Sequence, residues 1–71
     1  NEEKKLHENL SDREFEIFKL IIKGLTAKTI ASGLQISDKT VSTYRSRILK
    51  KMSMQSIADL IHYAIENQIS D

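Results

Sequence analysis

Four times along the chain a serine or threonine stands just ahead of an apolar series with helical spacing: Ser11, Thr26, Ser37 and Ser56. A hydroxyl in that place accepts a hydrogen bond from a first-turn amide, so it marks where a helix can begin. Ser11-Asp12-Arg13-Glu14 is a capping box, and Ser56 with Asp59 repeats the pattern. Leu10 and Phe15 stand where a hydrophobic staple would place them. Behind Ser11, Phe15, Phe18, Ile22 and Leu25 recur at helical spacing, with Ile17 and Ile21 widening the stripe and Gly24 as the stop. Behind Thr26, Ile30, Ala31 and Leu34 form the inner side of a short second helix, with a break around Gly33 to Ile36. In the third helix Ser37 is the cap, and Val41, Tyr44, Ile48 and Met52 share one face. Lys39, Thr43, Ser46, Arg47 and Lys50 point the other way. In the fourth, Ile57, Leu60, Ile61, Ala64 and Ile65, with Ala58, wrap more than half the circumference. The chain has no Pro and two Gly, too few for a turn-rich β architecture. The expected fold is all-α, a compact four-helix bundle containing a helix-turn-helix. Residues 1–9 read as a flexible lead or linker, and 10–71 as the domain.

Other classes of protein are disfavoured. A chain of 71 residues is one domain with a thin core. The absence of Cys removes disulfides and Cys-based zinc sites, and fits a reducing cytoplasm. No stretch approaches the roughly 18 apolar residues of a membrane span. The charged N-terminus has no apolar core, so it is not a signal peptide. Without an initiator Met, the chain is expected to be a piece of something larger. His7 and His62 are far apart and lack partnering Cys, so no metal site is expected, and His62 reads as a surface residue of the fourth helix. No nucleophile–base pair, carboxylate pair or glycine-rich phosphate loop stands out, so neither an enzyme nor a cofactor is expected.

The net charge of +1 is uninformative, but its distribution is not. Residues 24–52 hold six bases (Lys28, Lys39, Arg45, Arg47, Lys50, Lys51) against one acid, Asp38; the remainder holds five bases against nine acids. A basic stripe of about +5 between flanks of about −4 is the footprint of a phosphate-binding surface, or else a solvated helix face. Arg45 sits near the inner side of the third helix. Pairing with Glu14 or Glu16 competes there with a role in base reading. Tyr44 reads as a core residue with its hydroxyl at the rim.

The second helix, the turn and the third helix carry the functional signal. Ala31 gives the small residue that lets two helices cross closely, and Ile30, Leu34, Ile36, Val41 and Tyr44 can build the small core that fixes the crossing. Around that unit the longer string runs Leu10-Ser11-Asp12-Arg13-Glu14, Gly24-Leu25-Thr26-Ala27-Lys28, Ile30-Ala31, Leu34-Gln35-Ile36-Ser37, Thr40-Val41-Ser42-Thr43-Tyr44, Ile48 and Lys51-Met52. In order and spacing it resembles the LuxR/FixJ family of DNA-binding domains, the output modules of NarL-type response regulators, over residues 10 to about 66. The run Thr40 to Arg45 is most similar to response regulators of the virulence-control type.

The resemblance implies sequence-specific binding of double-stranded DNA, with the third helix in the major groove and the fourth for dimerisation. It implies that Ser42, Thr43 and Ser46 face the bases. Thr26, Lys28 and Thr40 would contact the backbone, with Lys39, Arg47 and Lys50 adding attraction to phosphates. The two arcs of the fourth helix are then divided: Leu60 and Ala64 to the core; Ala58, Ile61 and Ile65 to a homodimer that is weak for the isolated domain. A receiver domain is the expected N-terminal neighbour. The sequence departs from the family, which often has Lys at Ser42, His at Tyr44, Asn at Ala27 and an acid at Thr29. A helical protein-interaction module without DNA binding is the alternative, suggested by the excess apolar surface of the fourth helix.

Overall fold

The computed structural model describes residues 5–69. A single 3-10 turn, Leu6–Asn9, precedes α1 (Asp12–Ile22), α2 (Ala27–Leu34), α3 (Asp38–Lys51) and α4 (Ile57–Glu66). All four expected caps are present. Ser11, Thr26, Ser37 and Ser56 each accept a hydrogen bond from the amide three residues on, those of Glu14, Thr29, Thr40 and Asp59. Each such bond satisfies one of the amides that a helix start leaves without a partner, and is worth about 1 kcal/mol.

The helix ends share a second device. After each helix one residue takes the left-handed conformation: Gly24 (φ 94°), Gln35 (φ 60°), Ser53 (φ 57°) and Gln68 (φ 57°). The next amide then reaches back to a carbonyl five residues earlier: Leu25 to Leu20 (3.4 Å), Ile36 to Ala31, Met54 to Leu49 and Ile69 to Ala64 (each 2.9 Å). This is the Schellman arrangement, and in every case its return residue is apolar. Ile36, Met54 and Ile69 fold back onto the core. The second helix ends inside the expected break around Gly33 to Ile36. Gly33 is an interior residue of α2, and Gln35 makes the turn.

The core comprises Ile17, Phe18, Ile21, Ile30, Ala31, Val41, Ile48, Met52, Leu60 and Ala64. Helix α1 packs against α2, α3 and α4, and α3 packs against both α1 and α2. The buried stripe of α1 is centred on Ile17, Phe18 and Ile21. Phe15 and Ile22 are half-buried, and Leu25 is 39% exposed. The centre of the stripe thus lies on Phe18 and on Ile17 and Ile21, the positions expected to widen it, rather than on Phe15, Ile22 and Leu25, because α1 is enclosed by three helices and buries its widest apolar arc. On α4, Leu60 and Ala64 are buried as expected.

Glu14 is the one charged residue in the described interior, 4% exposed. Its Oε1 accepts from the Ser11 amide (2.8 Å) and from Lys51 Nζ (2.8 Å), while its own amide donates to Ser11 Oγ (3.1 Å). One carboxylate thus closes the start of α1 and ties it to the last residue of α3. Burial pushes its pKa up, but the Lys51 and Ser11 hydrogen bonds and the Lys51 charge outweigh that, so the net shift is downward.

Of the lead, residues 1–4 lie outside the described set, and the remainder is attached to the domain. The His7 amide donates to the Tyr63 hydroxyl (3.2 Å), and His7 Nδ1 lies 2.8 Å from the same oxygen. The His7 ring stacks on Phe15 at 5.7 Å. No motif marks this docking in the sequence, since the partners are 56 residues apart.

Two expected outcomes follow from this geometry. A Cβ added at Gly33 meets nothing within 4 Å, so Gly33→Ala should stabilise the domain by about 1 kcal/mol. Gln35→Gly should stabilise by roughly 0.5–1 kcal/mol by relieving a left-handed non-glycine residue. Urea denaturation checks both, and a destabilising Gly33→Ala would mean that Gly33 makes the turn. Because the folded pKa of Glu14 lies below its unfolded value, its charge stabilises above about pH 4.3 and that stability is lost as pH falls through the folded pKa. Glu14→Gln keeps the box and removes the charge. It should cost about 1 kcal/mol at pH 7, with the Lys51 side chain 43% exposed and the pair partly screened. The difference from wild type should close as pH falls through the lowered folded pKa of Glu14.

Candidate nucleic-acid interface

The interface is built on the two helices that the α2–α3 turn joins. Ile30, Ala31 and Val41 are buried where these helices meet, with Leu34, Ile36 and Tyr44 half-buried around them. Ala31 is 2% exposed, as a small residue at a close crossing must be. Ile48 and Met52 continue the inner face of α3 and are fully buried. With that face held, helical periodicity leaves Ser42, Thr43, Ser46, Arg47 and Lys50 outside, and all five are exposed. Lys39 is exposed too. The only acid on α3 is Asp38 in its first turn, where it complements the helix dipole.

The hydroxyls divide into two kinds. Among the described residues those of Ser42 and Ser46 make no hydrogen bond, whereas Thr43 Oγ1 donates to the Lys39 carbonyl (3.1 Å). Thr26 and Thr40 are also engaged. Thr26 Oγ1 donates to Thr29 Oγ1 (3.0 Å), and Thr40 Oγ1 lies 2.9 Å from Ser37 Oγ. Thr40 is half-buried; Thr26 and Lys28 are exposed in the first turn of α2 and around its cap.

The cations divide likewise. Lys51, part of the basic stripe, is held by Glu14. Arg47 leans over the Tyr44 ring, its Cζ 5.9 Å from the centroid, which limits the arc it can sweep. Lys28, Lys39 and Lys50 make no ion pair among the described residues. Arg45 does not pair with α1: Glu14 is held by Lys51 and Glu16 by Arg13 (3.2 Å). Arg45 instead edges a groove lined by Ile21, Leu25, Ile30, Val41, Ile57 and Ile61. Sequence placed it near the inner face; it is exposed at the edge of this groove. Sequence did not single out Lys51 as the partner of Glu14.

On α4, Ala58 is exposed and Ile65 is 70% exposed. Ile61 is half-buried, and a second groove on that side is lined by Lys19, Ile22, Ile61, Ala64, Ile65 and Ile69. His62 is on the surface, 3.8 Å from Glu66. Among the described residues no cluster could hold a metal ion, and no helix is long and apolar enough to cross a membrane.

Two crossed helices with a small-residue contact, the second presenting an uncharged polar row framed by cations, define a helix-turn-helix DNA-binding domain. The chain belongs to the luxR family of bacterial regulatory proteins, whose pattern it matches over residues 8–64. It is 39% identical over 61 residues to BvgA of Bordetella pertussis, described as a transcription regulator of virulence factors; the match covers 86% of this chain and 29% of that protein. It is 40% identical over 62 residues to the oxygen regulatory protein NreC of Staphylococcus carnosus (87% and 29%), and 45% identical over 58 residues to nodulation protein W of Bradyrhizobium diazoefficiens (82% and 26%). The chain spans less than a third of the length of these relatives.

The free cations of α3 generate a specific expectation. Lys50→Ala should weaken binding to all duplexes alike and lower the slope of log affinity against log salt by about 0.9, the value for one lost phosphate contact. Lys51→Ala should leave that slope unchanged while lowering stability. Titrations of a random duplex at several salt concentrations check the pair. A slope change for Lys51 and none for Lys50 would reverse the assignment.

Proposed function

We propose that this domain is the output module of a bacterial transcription regulator and binds selected sites on double-stranded DNA, with no catalytic activity of its own. The observation that carries this is the outer face of α3, where Ser42, Thr43 and Ser46 are exposed and Lys39, Arg47 and Lys50 frame them. Placed in the major groove, that row lies over base edges, and the cations meet phosphates on either side. Thr26, Lys28 and Thr40 add backbone contacts from the start of α2 and α3. With Thr26 and Thr40 hydroxyls engaged in caps, their contribution is to order the amides at those helix starts, which favour a phosphate. Short hydroxyl side chains lack the bidentate fork of Arg or Asn, so discrimination comes in small increments and partly from DNA shape.

In the full-length protein, α4 pairs two copies through Ala58, Ile61 and Ile65. A receiver domain precedes the module, and the protein works in the cytoplasm. The exposed Ile65 beside an apolar groove supports the pairing. One short helix gives far less than the roughly 1,200 Å² of a stable complex, so the isolated domain is monomeric in dilute solution and pairs on DNA. The interaction-module alternative is absorbed here, since its only supporting feature is this same surface.

Ile65→Asp tests the arrangement. Circular dichroism should show an unchanged fold, because Ile65 is 70% exposed. Gel shifts on two half-sites one helical turn apart should lose cooperative occupancy of the second site while binding to a single half-site is kept. Undiminished cooperativity would place the dimer contact elsewhere.

A further inference from the structure

The three exposed hydroxyl residues of α3 differ in what they can offer a base. Ser42 and Ser46 have hydroxyls with no partner among the described residues, free to donate or accept. Thr43 has its hydroxyl hydrogen committed to the Lys39 carbonyl, one turn back on its own helix, at 3.1 Å. A threonine oxygen turned back in this way leaves the methyl as the remaining heavy atom of an exposed side chain. In the major groove the apolar feature that marks one base is the thymine 5-methyl group.

We propose that Thr43 is a thymine reader: its methyl packs on a thymine 5-methyl, while its hydroxyl serves the helix. This rests on the placement of α3 in the major groove put forward above. The row then reads in two modes. Ser42 and Ser46 test hydrogen-bonding edges, and Thr43 tests for a methyl group between them. Thr43 Oγ1 keeps lone pairs that could accept from adenine N6 or cytosine N4, so the two chemistries must be separated by experiment. Valine is threonine with the hydroxyl replaced by methyl; serine is threonine without the methyl.

The experiment uses the half-site that this chain enriches from a random duplex library. Each thymine is replaced in turn by deoxyuridine, which removes only the 5-methyl. Wild type should lose about fourfold in affinity at one thymine, the factor corresponding to one buried methyl group. Thr43→Val should bind as wild type does and show the same loss at the same position. Thr43→Ser should bind the thymine duplex about fourfold more weakly and be indifferent to uridine there. Circular dichroism of both variants shows whether α3 is retained. A Thr43→Val variant that loses as much as Thr43→Ser, with its fold intact, overturns the proposal in favour of hydroxyl reading. A wild-type chain that binds the half-site selectively yet ignores every uridine overturns the role of Thr43 alone. Failure to enrich any sequence, with equal binding to all duplexes, contradicts the major-groove placement itself.

Discussion

The burial of one ridge on α1 holds this domain together. Ile17, Phe18 and Ile21 sit at the centre, and α2, α3 and α4 each pack on that helix. A chain of 71 residues has little apolar area to bury, so each helix must bring its widest apolar face inward. For α3 that requirement is met by Val41, Ile48 and Met52. Once those three are inside, the outward direction of Ser42, Thr43, Ser46 and Lys50 is no longer free. The exposed row of α3 is thus a consequence of packing on α1, with the Glu14–Lys51 bond fixing the far end of the same helix.

The Glu14 carboxylate shows how a polar group is tolerated in so small a core. Alone, a buried charge would be costly. Here it receives two hydrogen bonds on one oxygen, from an amide at the start of α1 and an ammonium at the end of α3. Lys51 remains partly in water, so the pair is not fully desolvated. A cation that would otherwise extend the basic stripe is thereby assigned to structure, and the outer face of α3 keeps its cations at Lys39, Arg47 and Lys50.

Helix starts were legible because capping is local: a hydroxyl and the amide three residues on are fixed by the sequence itself. Helix ends were less so. Only Gly24 announces a left-handed residue; Gln35, Ser53 and Gln68 adopt it because an apolar return residue is drawn back onto the core. That is a tertiary cause, and it sets the turn at Gln35 inside a break that the sequence bounded only as Gly33 to Ile36. The phase of α1, centred on Ile17, Phe18 and Ile21, and the docking of His7 on Tyr63 likewise depend on partners distant in sequence. The outer row of α3 was legible because its inner face is strongly apolar. Which cations of the stripe are engaged within the domain was not, since the Glu14–Lys51 pair joins residues far apart in sequence.

On the proposed function, DNA meets the outer face of α3 and the start of α2, and nothing else on the isolated domain. Backbone amide resonances followed by NMR during titration with a duplex half-site test it directly, residue by residue. Saturable shifts should cluster at residues 26–28 and 39–50, while α1 and the exposed side of α4 around Ile65 stay unchanged. Shifts centred on α4, or spread evenly with no saturation, would contradict it.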